Sequence, residues 1–498
     1  MIAPAFIWMI VIPLLGAPLV YLVGHSGRRF WGDRVSRYAA LLVFGATWVA
    51  FVRAAQAASM EPTADFTWGG MSLALDGISL LLAFVALLLG TFVASFSGEY
   101  ITGEAGQEKF YAMLVAIVGV MIGLGCATDL FNIWIWFEAM AVTSYLLVAY
   151  YHTRALSLEA GFKYLMQSAA GSVLVLFAIG IVLSQTGTLT LAEIRSQFTA
   201  GAPMLLAGVL FLVGYGVKSA LVPLHTWLPD AHSQAPSGIS AMLSGVVIEA
   251  GLVALLRSIA PIAAQMTFWG PLLITCGLLN MIGGNLMAYA QTQVKRMLAY
   301  SSITHVGYML VGLGVTFLLR ESSGAQGGLF HLLNHGLMKG LAFLAAGALL
   351  YTLHSASGDH KPLMIADLAG GARRYPLAAL CLSLALLSLA GLPPFAGFMS
   401  KWLIFKAGFA SGDPLLWIVV ALVALNSVFS LAYYAPVVNL LYRRKPSKVV
   451  LEGRPLPWSM VTPLVILSLA IIALGIWPDM IGWMTHSAGE ALVAGFHF

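Results

Sequence analysis

Charge is what this chain has least of. Asp, Glu, Lys and Arg make up 9% of its 498 residues, against about 25% in soluble domains. That scarcity excludes a water-facing surface for most of the protein. Cysteine is nearly absent too. Cys126, Cys276 and Cys381 stand far apart inside apolar runs, which excludes a thiolate metal cluster and leaves them as packing residues. No glycine-rich dinucleotide fingerprint, iron–sulfur cysteine set or haem motif occurs, so no cofactor site is expected in this chain. The basic residues sit in short loops, and a net charge of +5 makes no case for nucleic acid. Linkers and low-complexity tracts are missing as well, so residues 1–498 read as a single membrane domain.

What is present is apolar length. Hydrophobic residues form 60% of the chain, in runs near the ~20 residues that span a bilayer as a helix. They predict an all-α polytopic protein of about fourteen spans. The expected ranges are 2–24, 38–57, 77–97, 111–127, 129–150, 161–184, 203–223, 239–258, 268–290, 297–318, 326–352, 375–408, 414–442 and 457–477. The first, "MIAPAFIWMIVIPLLGAPLVYLVGH", has no basic leader and reads as a spanning helix rather than a cleaved signal. With the N-terminus outside, loops after odd-numbered spans carry most of the Lys and Arg, and the opposite side holds only Arg195, Arg257 and Arg320. Basic loops favour the cytoplasmic side. The expected placement is therefore multi-pass in the cell (inner) membrane, with both termini on the outer side.

A few charges stand where the apolar pattern leaves no room for them. Glu138 lies inside "DLFNIWIWFEAMAVTSYLLVAY" and Glu249 inside "SAMLSGVVIEAGLVALLR", each roughly 14–15 Å into its span at 1.5 Å per residue. Lys339 is central in "HLLNHGLMKGLAFLAAGALL", and Lys401 follows "LAGLPPFAGFMS". Lys218 ends an apolar run and is followed by Pro223, Pro229 and Pro236, which cannot all belong to one undisturbed helix. Each such charge costs at least about 2.5–3.5 kcal/mol on insertion scales. Mutual pairing offsets part of that, but apolar replacements of paired charges are usually no less stable, so an ion path is the better account.

The interrupted stretches point the same way. The seventh span breaks at "VPLHTWLPDAHSQAP" and the twelfth at "GLPPFAGF". Broken helices at matching places in two halves mark transporters with the ion site at the breaks. A buried amine loses proton affinity on desolvation and regains it near a carboxylate, which suits Lys218 with Glu138 as partner. His225, His232, His331 and His335 extend a relay, since imidazole titrates near neutral pH. His331, His335 and Lys339 follow one another at intervals of four, one face of one helix. HxxxH also fits zinc, but no third ligand lies nearby in sequence.

At these residues the chain resembles the antiporter-like subunits shared by respiratory complex I, Mrp-type Na+/H+ antiporters and membrane-bound hydrogenases. The resemblance runs from "LDGISLLLAF" through "VKSALVPLHTWLPDAHSQAPSGISAMLSG" and "QTQVKRMLAYSSITHVGYML" to "LAGLPPFAGFMSKW". It implies two inverted five-helix repeats, here roughly 111–258 and 268–442, and proton transfer along a midplane line of charges. Glu138 matches the family's fifth-span glutamate, Lys218 its seventh-span lysine, Lys339 an eleventh-span lysine of some members, and Lys401 the twelfth-span lysine. It also implies other membrane subunits as partners, with the redox module carried by them. Protons are the ions this resemblance implies, with Na+ as the alternative. One position departs: "EAGLVALLR" puts Glu249 where many members have lysine, and Val253 where they have an aromatic residue. "SAMLSG" and "HLLNHGLMKG" lean toward the hydrogenase and Mrp branches.

The resemblance implies a proton-translocating subunit of a redox-driven pump, of the NADH:quinone oxidoreductase or hydrogenase type. The alternative is a Na+/H+ antiporter subunit without a redox module. A solute transporter lacks a polar substrate pocket in the sequence, and a mere scaffold does not explain the buried charges. The departure carries its own expectation: Glu249 and Lys339 face one hydrated path, in direct or one-water reach.

Overall fold

The computed structural model describes residues 4–32, 34–60, 64–68, 71–263, 267–354 and 361–496. The first residues of the opening span and parts of the loops at 58–76 and 353–374 fall outside these. Among the described residues twelve helices are long and apolar enough to cross a membrane. The chain begins with α1 (Ile7–Trp31) and α2 (Val35–Met60). A small hairpin follows, β1 (Ala64–Trp68) with β2 (Met71–Leu75), pairing Phe66 with Leu73. It lies in what the apolar pattern leaves as a loop. Then come α3 (Gly77–Tyr100), α4 (Gln107–Cys126), α5 (Leu130–Val148) and α6 (Ala155–Thr186). Asp76 opens α3 with a capping box, its carboxylate accepting from Ser79 N while Ser79 Oγ accepts from Asp76 N. Asp129 caps α5 through Asn132 N at 2.7 Å.

After the short α7 (Leu191–Gln197), the expected seventh span is divided into α8 (Ala202–Lys218) and α9 (Trp227–Gln234). The next span, Ser237–Ala263, is one continuous element made of α10 (Ser237–Met242), a wide π-turn at Leu243–Val247, and α11 (Ile248–Ala263). The π-turn ends one residue before Ile248 and two before Glu249; such bulges recur at functional sites. α12 (Trp269–Tyr289), α13 (Val294–Leu319) and α14 (Ser322–Leu353) are continuous. The expected twelfth span is again divided, into α15 (Pro376–Ala390) and α16 (Ala396–Ala410). α17 (Pro414–Arg443), the short α18 (Lys448–Glu452), α19 (Trp458–Ile476) and a helix absent from the expected pattern, α20 (Gly482–Phe496), complete the chain.

Burial sorts these helices into a centre and a rim. The most apolar window of Ser237–Ala263 is 100% buried and that of Ser322–Leu353 is 94% buried, against 28% for Pro414–Arg443. Glu249 and Lys339 ride on these two most buried helices. α10–α11 and α14 approach closely where Gly245 faces Gly336: a Cβ on Gly336 would lie 2.7 Å from Gly245 O, so only glycine fits. That contact sets which turn of α14 lies beside Glu249.

Candidate functional site

The site has three parts strung between the two broken helices. At the first break, Lys218 closes α8 with a buried side chain. Its Nζ lies 4.5 Å from the Tyr164 ring centre and 5.8 Å from that of Phe137, and no protein group hydrogen-bonds it. The aliphatic stem rests on Gly251, where a Cβ would sit 3.1 Å from it. Other elements tie down the backbone of the break. Trp227 stacks on Tyr164 at 3.9 Å and donates Nε1–H to Val217 O, an end carbonyl of α8, at 2.8 Å. Asn280 on α12 accepts from Val222 N at 2.8 Å and donates to Ala220 O.

Glu138 is half-buried, and its Oε1 has no protein partner. Its charge acts on Lys218, but the two make no ion pair within the 4.0 Å that defines one. The expected partnership is one of field, not of contact. The reason is geometric: Phe137 and Tyr164 flank the ammonium, and it faces their rings instead of an oxygen. His225 lies buried within the break, 6.3 Å from the Tyr300 ring. It is not joined to the other histidines named from the sequence.

The middle part is a line of imidazoles. His335 Nδ1 meets Glu249 Oε1 at 2.7 Å, with both side chains fully buried. The His335 ring lies 5.1 Å from that of His305, and His305 Nδ1 meets His331 Nε2 at 3.0 Å. His331 Nδ1 in turn meets Ser400 Oγ at 2.8 Å. His331 is bonded through both ring nitrogens, whereas His335 and His305 meet only by ring stacking and His335 Nε2 has no protein partner. An imidazole that takes a proton on one nitrogen can release one from the other.

Lys339 makes no hydrogen bond or ion pair with Glu249, so of the direct or one-water reach expected from the sequence the direct form is not the one adopted. Its Nζ donates to Leu298 O at 2.8 Å and to Ser301 Oγ. The Gly245–Gly336 crossing puts Glu249 level with His335, one turn before Lys339. The carboxylate thus meets the imidazole and not the amine. Ser301 continues to Tyr434, and neighbouring Tyr433 donates to Asn285 at 2.7 Å.

At the second break Lys401 sits in α16, beyond the interruption. Its Nζ donates to Leu389 O at 2.9 Å and Ser427 Oγ at 2.8 Å, and lies 4.5 Å from the Tyr308 ring centre. Leu389 O belongs to the last turn of α15, so the ammonium occupies a helix C-terminus, where a cation is favoured.

His305, Ser400 and Ser427 were not named from the sequence. His305 is the only histidine of α13, and a lone histidine in an apolar helix reads as core. The usable signal was its place in "SSITHVGYML", a half-polar stretch amid apolar residues. Among the described residues no group of three or more His, Cys, Asp or Glu side chains is placed to hold a metal ion.

Residues 127–430 match the family described as "NADH:quinone oxidoreductase/Mrp antiporter, TM". The chain belongs to this family. Within it, the chain is 32% identical over 436 residues to F(420)H(2) dehydrogenase subunit N of Methanosarcina mazei, covering 86% of this chain and 87% of that protein. It is 35% identical to NADH-quinone oxidoreductase subunit N 1 of Sorangium cellulosum, covering 82% and 81%. A chain in the structure of the membrane-bound sulfane sulfur reductase, an archaeal respiratory membrane complex, superposes with TM-score 0.85 at 26% identity, over 99% of this chain and 98% of that one. Both relatives bear the subunit N name, whereas "SAMLSG" and "HLLNHGLMKG" lean toward the hydrogenase and Mrp branches. The antiporter-like architecture, an integral multi-pass membrane protein, is common to all of them.

Proposed function

We propose that this chain is a proton-translocating subunit of a complex I-type, redox-driven membrane assembly. Partner subunits would carry the electron chemistry and this chain the protons. The observation that carries the reading is the buried contact series Glu249–His335–His305–His331–Ser400, which ends beside Lys401. Ionisable groups inside a membrane core are costly unless they do something, and these lie in one series, hydrogen-bonded except where the His335 and His305 rings stack. Lys218 and Glu138 form the first element of the line, Glu249 and the imidazoles the middle, and Lys339 and Lys401 the further amines. The names of the related proteins support the assembly, and the basic loops support both termini lying outside. With each divided helix taken as one broken span, α1–α19 supply about fourteen spans, and 111–258 with 268–442 the two inverted repeats.

The test is proton translocation per electron-transfer turnover by the assembled complex in inside-out vesicles. Lys339→Ala should reduce it at least tenfold at normal subunit level. Wild-type stoichiometry in that variant would remove the line of charges from the mechanism. A Na+-dependent proton exchange without redox turnover would instead establish the Mrp-type antiporter reading. A reporter fused after Lys448 should read cytoplasmic and one at the C-terminus external; a cytoplasmic C-terminus would overturn the topology.

A further inference from the structure

Two buried groups stand outside that line: His232 and Lys295. His232, on α9, is fully buried, and neither ring nitrogen has a protein hydrogen-bond partner. Its ring stacks on Phe343 at 4.7 Å. Phe343 is four residues beyond Lys339, so the α14 row His331, His335, Lys339, Phe343, Gly347 forms one face about 24 Å long. At the far end of that row a Cβ on Gly347 would lie 2.4 Å from Ser237 Cβ. Ser237 Oγ is 2.9 Å from Tyr100 OH.

Tyr100 opens onto a cavity of about 190 Å³, also lined by Tyr151, Arg154, Gln293 and Lys295. Lys295 is 6% exposed and donates Nζ–H to Ala235 O, three residues after His232. Besides Lys295, Lys339 is the other charge that acts on His232. A cavity-lining lysine on α13, an imidazole on α9 with both nitrogens unclaimed, and the midplane lysine on α14 therefore follow one another inward from the cavity. The cavity lies among loops of the basic side of the membrane.

We infer that this cavity is the proton inlet of the chain, with Lys295 as the acceptor at its wall and His232 as the carrier to Lys339. The inference rests on the proton-translocation reading and adds its source. Lys295 ammonium gives a proton, through water, to one imidazole nitrogen of His232. The imidazolium passes the proton on its other nitrogen to the neutral Lys339 amine. Lys295 amine then regains a proton from cavity water. No bond other than N–H and O–H changes.

A structural role for Lys295, capping the C-terminus of α9, makes a different forecast. Arginine would keep the charge and the cap but holds its proton. In the intact complex in inside-out vesicles, Lys295→Arg and His232→Asn should each lower proton translocation per turnover at least fivefold, with assembly unchanged. Wild-type pumping in Lys295→Arg overturns the inlet. Lys339→Ala in the same assay separates the failures: if it too pumps normally, the underlying reading has failed, and if it alone is defective, only the inlet has. Should Lys295→Arg not assemble, Gln293→Cys decides. A charged, impermeant thiol reagent added to the basic face should block pumping in that variant and not in the wild type. Block from the opposite face alone, or no block despite labelling, refutes the proposal.

Discussion

The two broken helices hold their lysines in opposite ways. Lys218 ends the first half of its span, faces aromatic rings and takes no hydrogen bond from protein. Lys401 begins a turn and a half into the second half of its span and is tied to Leu389 O and Ser427 Oγ. Both stand 4.5 Å from a tyrosine ring centre, Tyr164 in one case and Tyr308 in the other. The shared ring makes each pocket tolerant of a cation. The first lysine thus lies buried against aromatic rings with the charge of Glu138 acting from beyond contact, while the second lies among fixed dipoles at a helix end. A proton carrier whose affinity is set by a distant acid is easily tuned by moving that acid. A carrier held by carbonyl and hydroxyl dipoles resists such tuning and suits the end of a relay.

The sharpest way to break the comparison is at the first lysine. Glu138→Gln or Lys218→Ala should abolish most translocation, at least tenfold or about 1.4 kcal/mol in barrier, with the subunit inserted and assembled. Besides the aromatic faces, it is the Glu138 charge that acts on Lys218, so either loss leaves the other group without its counterpart. Normal pumping in either variant, at normal protein level, would dissociate this pair from the mechanism.

Glu249 stands between the halves, and its replacement should be milder. Gln at this position keeps a hydrogen-bonding oxygen for His335 but no charge. Glu249→Gln should slow translocation severalfold, an effect read as a rate at unchanged assembly. Since Glu249 touches His335 and not Lys339, His335→Gln should add little on top of it; independent, multiplicative losses would show that the contact is not part of one route.

The turn at each break gives a third comparison. Gly391 has φ +85°, and a Cβ there would lie 3.0 Å from Lys401 Cδ and Ser427 Oγ. Ala220 holds the equivalent left-handed conformation, φ +54°, with a side chain already present. Left-handed backbone costs a non-glycine residue about 1–2 kcal/mol. Gly391→Ala should therefore lower thermal stability of the complex and displace Lys401, and Ala220→Gly should leave pumping intact. A Gly391→Ala variant as stable and active as wild type would show that the second pocket has slack.

Much of this arrangement is legible in the sequence. Glu138, Lys218, Glu249, Lys339 and Lys401 betrayed themselves because a charge in a twenty-residue apolar run has no cheap explanation. The breaks were legible because proline and glycine have local, context-free effects. What could not be read was who meets whom. The Glu249–His335 contact depends on Gly245 facing Gly336 across two helices, and glycines are too frequent in membrane segments to mark one crossing. His305 was lost because its chemistry arises only when α13 brings it to His331. The hairpin and α20 were lost because neither is long and apolar, the property on which the span pattern rests.

The smallest expected effect lies at Ser427. Its hydroxyl accepts from Lys401 and itself donates to Ala390 O at 2.9 Å, so it fixes the ammonium relative to the broken end of α15. Ser427→Ala removes one of two hydrogen bonds to a charged group, each worth about 1.5–3 kcal/mol when buried, but Leu389 O and the Tyr308 face remain. Much of the loss is recovered if the ammonium shifts toward the carbonyl, leaving about 0.5–1 kcal/mol and a two- to fivefold slower translocation. The matching change beside the first lysine, Ser219→Ala, should have no such effect, because Ser219 Oγ donates to Tyr215 O and not to Lys218. Measured side by side, equal slowing in both variants would mean that the two lysines are held alike. A deficit confined to Ser427→Ala would establish that one carrier is tethered and the other is governed by the field of an acid.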